Sequence, residues 1–200
     1  MPKPGLLVVF ALAACGSSSS VSSEDSARRV YFGLDRAVDR ALNLGMDGYN
    51  AAQSANIPQQ IGDGEVSGTL TVDGQVDQGV SVNKEMRLTT AFARYSDDAE
   101  RPDGGLADAG PSGLVYDTVA TALPALDLSL RNIPNGTFTG SLDGTVDVSG
   151  DLQGTVTLTL TFAGAIQSAG GTAIGRVPGS THITGTATSA FGTYTIDLMH

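Results

Sequence analysis

Cys15 is the only cysteine of the chain, and it ends the run Leu12-Ala13-Ala14-Cys15, with Gly16 and the serines Ser17 to Ser20 behind it. A lone thiol has no disulfide partner and no cysteine companions for a metal site. What remains open to it is nucleophilic chemistry, including alkylation to a thioether. The small residues before it leave the backbone open to a peptidase. Leu6 to Ala14 form an apolar run behind Lys3. Crossing a bilayer takes about 20 apolar residues, so this run reads as a targeting segment and not a permanent span.

Few other residues could do chemistry. His182 and the terminal His200 are the two histidines. A Ser-His-Asp set around His182 lacks any nucleophile-elbow sequence, so Thr181-His182-Ile183 reads as a sheet residue in its strand, and His200 is expected to fray. Asp97, Asp98, Glu100, Asp103 and Asp108 could offer oxygens to calcium. Their spacing matches no calcium loop and Arg94 and Arg101 sit among them, so segment 96–111 reads as a solvated acidic loop. Asp143, Asp147 and Asp151 share strand parity but stand where turns would place Asp. Ala169-Gly170-Gly171 lacks the context of a phosphate cradle. No catalytic residue, metal ligand or cofactor site is expected, and an enzyme is the weakest class.

Leu12-Ala13-Ala14-Cys15 resembles the lipobox of bacterial lipoproteins, over the first 20 or so residues only. The resemblance implies cleavage between Ala14 and Cys15, diacylglycerol on the Cys15 thiol and an acyl chain on its new amine. Several chains make a firm anchor where one alone holds marginally. The membrane is then the implied partner. Gly16, in place of the Asp that retains enterobacterial members at the inner membrane, implies the outer membrane, with its periplasmic or surface face left open.

Net charge is -10. Nucleic-acid binding runs on clustered Lys and Arg, so that class is excluded, as is an electrostatic grip on anionic lipid. Abundant Gly and Thr, few aromatics and no Trp favour strands and tight turns.

The elements follow. Residues 1–14 are the signal, 15–23 the lipidated Cys and serine-rich tether, and 24–60 a helix and linker. Ser22 or Ser23 can cap the helix, and Glu24 and Asp25 suit its first turn. Glu24 with Arg28 and Asp25 with Arg29 stand at i, i+4. Val30, Leu34, Val38 and Leu42 form one apolar stripe, which suits packing on the β domain, and Gly45 or Gly48 is expected to stop the helix.

From Val66 the period becomes two: Val66, Leu70 and Val72, then Phe138, Leu142, Val146, Val148, Leu152, Val156, Leu158, Leu160 and Phe162 are apolar between hydroxyl-bearing neighbours. That is the mark of antiparallel strands with one buried face. Asp73-Gly74, Asp143-Gly144 and Ser149-Gly150 each suit a three-residue hairpin loop, or a bulge in a longer strand. The fold expected over 61–200 is mainly β: an antiparallel sandwich, barrel or half-barrel of about 8–10 strands.

Self-similarity at a shift of about 70 residues suggests two duplicated halves, 61–130 and 131–200. Asp73-Gly74 recurs as Asp143-Gly144, Leu88-Thr89 as Leu158-Thr159, and Leu126-Asp127-Leu128 as Ile196-Asp197-Leu198.

The expected function is a non-enzymatic, lipid-anchored binding or structural domain, with its Thr-rich face and loops as the contact surface. The alternatives are an apolar-ligand barrel lined by Leu142, Val156, Leu158 and Phe162, by analogy with periplasmic lipid carriers, and a small outer-membrane β-barrel. The last needs strands of about 9 to 11 residues and aromatic girdles, which are scarce here.

Overall fold

The computed structural model describes residues 19–20, 23–97, 113–190 and 192–200. The fold is mainly β, with one long helix ahead of an antiparallel sheet, as the period-two pattern predicts. Strand β1 (Ser19–Ser20) is two residues long, and helix α1 spans Glu24–Ala51. Then come β2 (Asn56–Asp63), β3 (Ser67–Val76), β4 (Lys84–Ser96), β5 (Leu114–Asp117) and β6 (Ala125–Arg131). The chain continues through β7 (Gly136–Gly150), β8 (Leu152–Gly170), β9 (Ala173–Arg176), β10 (His182–Ser189) and β11 (Gly192–Met199).

The sheet runs β2-β3-β4-β5-β7-β8-β10-β11, with β6 filling the other half of the gap between β4 and β7 and β9 flanking the far half of β8. Strand β1 joins β8 in parallel. The helix touches β2 and β3 towards one end of this order and β9, β10 and β11 towards the other. It therefore lies in the concavity of a half-barrel.

Ser23 caps α1 by accepting from the Ser26 N–H at 3.2 Å, with Glu24 and Asp25 in the first turn. The expected stripe is buried, but so are Ala27, Tyr31, Ala37, Ala41 and Met46. Lying inside a curved sheet, the helix meets strands over a wider arc than a flat surface would allow. Gly45 and Gly48 do not end it. They let it approach the sheet: a Cβ on Gly45 would press on Leu88 and Leu128, and one on Gly48 would strike Ile57. The helix ends at Ala52, whose N–H bonds the Tyr49 carbonyl.

The sheet begins at Asn56, and Val66 lies in a bend, half exposed. Two of the three expected hairpin loops are continuous strand. Gly74 pairs with Leu88 inside the β3–β4 ladder, and Gly144 pairs with Leu158 inside β7–β8. Gly74 adopts φ +146°, and a Cβ there would meet the Arg87 carbonyl, so the glycine serves the close approach of the two strands. The chain does turn at Gly150, where β7 gives way to β8.

These two hairpins share one register: Leu70 faces Phe92 and Val76 faces Met86, as Gly140 faces Phe162 and Val146 faces Val156. The third similar stretch differs in place. Leu126 to Leu128 lie beside β4, whereas Ile196 to Leu198 lie beside β10, one strand removed from β8.

Candidate functional site

Ala14 and Cys15 lie outside the described residues, as do Asp98, Glu100, Asp103 and Asp108 of the acidic segment. Its first acid, Asp97, is buried at 1% exposure. It accepts from the Tyr95 hydroxyl and from the Glu65 N–H at 2.8 Å, and Arg40 stands 3.9 Å away. Asp97 thus ties the β2–β3 turn to β4. Asp143 and Asp147 stand on the outward side of β7, while Asp151 binds Arg29 of the helix at 2.7 Å. Among the described residues no three His, Cys, Asp or Glu gather as a metal site.

His182 sits on the outer face of β10, its Nε2 2.6 Å from Asp197 on β11. His200 does not fray. Its backbone exchanges two 2.8 Å hydrogen bonds with Thr181, and its Nε2 lies 3.1 Å from the Asp35 carboxylate of α1. Asp35 is buried beside Leu34, so a carboxylate set on the apolar side of a helix needs this partner. The hydrogen bond His200 donates to Asp35 raises its pKa above the usual value; burial opposes, and Asp39 adds to the rise.

Arg176 of β9 completes a polar seam along the helix. It holds Asp39 at 2.6 Å and bonds the Asp39 carbonyl, Asn43 and Thr181, with only 8% of its side chain exposed. Two open cavities of about 330 and 300 Å³ lie here, both lined by Asp39, Asn43 and His200. The guanidinium is spent on these acceptors, so the seam reads as a clasp of helix to sheet. Sequence reasoning passed over it. Its one local trace was an acid, Asp35, interrupting an apolar stripe.

The fully buried Tyr31 hydroxyl makes no well-formed hydrogen bond among the described residues but lies near the Asp35 carboxylate, and its pKa is raised by burial and by Asp35. Tyr116, by contrast, donates to the Val30 carbonyl at 3.0 Å.

Leu142, Val156, Leu158 and Phe162, the residues expected to line an apolar pocket, pack in one core cluster with Val30, Leu34, Val38 and Leu42 of α1. The outward positions are different. Thr145, Thr157, Thr188 and Thr193 stand in one row across β7, β8, β10 and β11. Asp143, Thr159, Thr186 and Thr195 form the next row, and Ser141, Thr161, Thr184 and Asp197 the one after. Strands are spaced about 4.8 Å apart and like-facing residues about 6.8 Å along each strand. The hydroxyls bond one another across strands, Thr161 to Thr184 at 2.8 Å and Thr145 to Thr157 at 3.1 Å. β-Branched side chains hold few rotamers, so this face offers a regular, weakly charged grid of methyls and hydroxyls.

No protein-family model, curated protein or solved structure matches the chain.

Proposed function

We propose that this chain is a bacterial envelope lipoprotein, held to the outer membrane by diacylglycerol and acyl chains on Cys15, whose β domain works through its outer surface as a non-enzymatic binding or structural module. The anchor rests on the likeness of Leu12-Ala13-Ala14-Cys15 to a lipobox. The observation that carries the surface reading is the seating of α1: its apolar face packs into the concave side of the sheet, against the residues that would otherwise hold an apolar ligand. The threonine grid and the connecting loops are what the folded domain offers to a partner. Outward threonines and charges also favour water over lipid at the outer face, which speaks against a spanning barrel.

Full-length protein expressed in a bacterium and purified from the membrane fraction tests both halves. Its intact mass should correspond to a chain beginning at Cys15 with thioether-linked diacylglycerol and an amide-linked acyl chain. Cys15→Ser should shift the protein to the soluble fraction. An unlipidated mass would overturn the anchor. Native mass spectrometry of Cys15→Ser should show the bare chain; a lipid released only on denaturation would replace the surface reading with that of a carrier.

A further inference from the structure

We infer that the end of the domain carrying the β7–β8 and β10–β11 turns and the N-terminus of α1 is the face that meets the bilayer headgroups, which rests on the lipid anchor proposed for Cys15. Ser19 and Ser20 pair with Leu152 and Gln153, at the start of β8. Only four residue steps separate Cys15 from Ser19, and an extended chain covers at most about 14 Å in that length. Helix α1 has 28 residues, and at about 1.5 Å each it is about 42 Å long. A tether a third of that length, leaving the sheet at one end, keeps that end against the membrane.

Several groups mark this end. Arg29 of α1 bonds Asp151 of the β7–β8 turn. Gly113 lies against the same Asp151, and Gly192 lies against Ser23 and Glu24 at the helix start. The charges described here, Glu24, Asp25, Arg28, Arg29 and Asp151, are of both signs. Anionic lipid is therefore not what orients the domain; the tether is.

The opposite end carries the loop between β3 and β4, residues 77–83, where Val80 is fully exposed and Val82 half exposed. It also carries the hairpin from β8 to β9. Both are held towards the aqueous side.

The sole native thiol is consumed in the anchor, so an introduced cysteine can be labelled alone. The lipidated protein is reconstituted in vesicles of phosphatidylethanolamine and phosphatidylglycerol containing a headgroup-nitroxide lipid, with a fluorophore at Ala190→Cys, Thr159→Cys or Ser81→Cys. All three positions are exposed. Strong quenching is expected at 190, weak quenching at 159 and none at 81, unchanged when phosphatidylcholine replaces phosphatidylglycerol. Equal quenching at 190 and 81, or quenching at 159 as strong as at 190, overturns the orientation. A flexible insertion between Cys15 and Ser19 should lower the quenching at 190; no change there also overturns it. An intact mass without acyl chains, or protein that does not float with the vesicles, instead overturns the anchor itself.

Discussion

The Asp35–His200 contact joins the middle of α1 to the last residue of the chain. His200 holds its proton more tightly when folded than unfolded, because Asp35, and Asp39 behind it, favour the cation over the opposition of burial and Arg176. A raised folded pKa contributes stability that is fully present below the ordinary histidine value of about 6.5 and fades as pH rises through the folded value. His200→Ala should therefore cost on the order of 1 kcal/mol at pH 5 and less at pH 9, allowing for partial exposure. Thermal melts of both proteins across that range check this, and a pH-independent difference would rule it out.

Tyr31 and Tyr116, both fully buried, give a second contrast. Tyr116→Phe removes a made hydrogen bond and should cost about 1 kcal/mol, whereas Tyr31→Phe removes a hydroxyl that makes no well-formed bond and should cost less than that. Urea titrations followed by far-ultraviolet circular dichroism read both.

At the scale of elements, the helix glycines are graded by what they touch. At Gly33 a Cβ would collide with the Tyr116 hydroxyl, itself held by Val30. At Gly45 it would meet only the movable ends of Leu88 and Leu128. Gly33→Ala should therefore lower stability by about 1–3 kcal/mol through overpacking. Gly45→Ala should come out near neutral, since replacing glycine in a helix returns up to about 1 kcal/mol. Equal effects in chemical denaturation would mean that close approach is not why these glycines are there. The same elements show the limit of local reading. Gly45 and Gly48 look like stop signals by type, yet a helix lying in a curved sheet uses glycine where side chains of the strands press close to it. The Asp-Gly pairs at 73 and 143 look like turns, yet they lie inside ladders, because β4 and β8 pair straight past them.

For the whole molecule, the helix and the sheet share one core, so neither has an apolar face to bury alone. Ala37 is fully buried mid-helix. Ala37→Pro should cost about 3 kcal/mol or more, a large part of a typical stability of about 5–15 kcal/mol. Helix and strand signals should then be lost together at one lowered midpoint. A helix that melts alone, leaving the strand signal intact, would show that the sheet does not depend on α1. The chain has no Trp and 5 Tyr, so tyrosine emission is the convenient second probe of cooperativity.

The sequence by itself determined the β class, the start of the helix at Ser22 or Ser23 and the buried parity through Leu70, Leu142 and Phe162. Each follows from spacing or from a single cap and needs no knowledge of partners. The tertiary structure alone decided where the strands turn, how far the helix runs, and that Asp35, Arg176 and His200 form one seam. An uninterrupted strand and a three-residue hairpin loop keep the same alternation, so parity cannot separate them; the strand lying opposite does. The seam joins residues from the start, the late middle and the end of the chain, and no local pattern records a contact made across that distance.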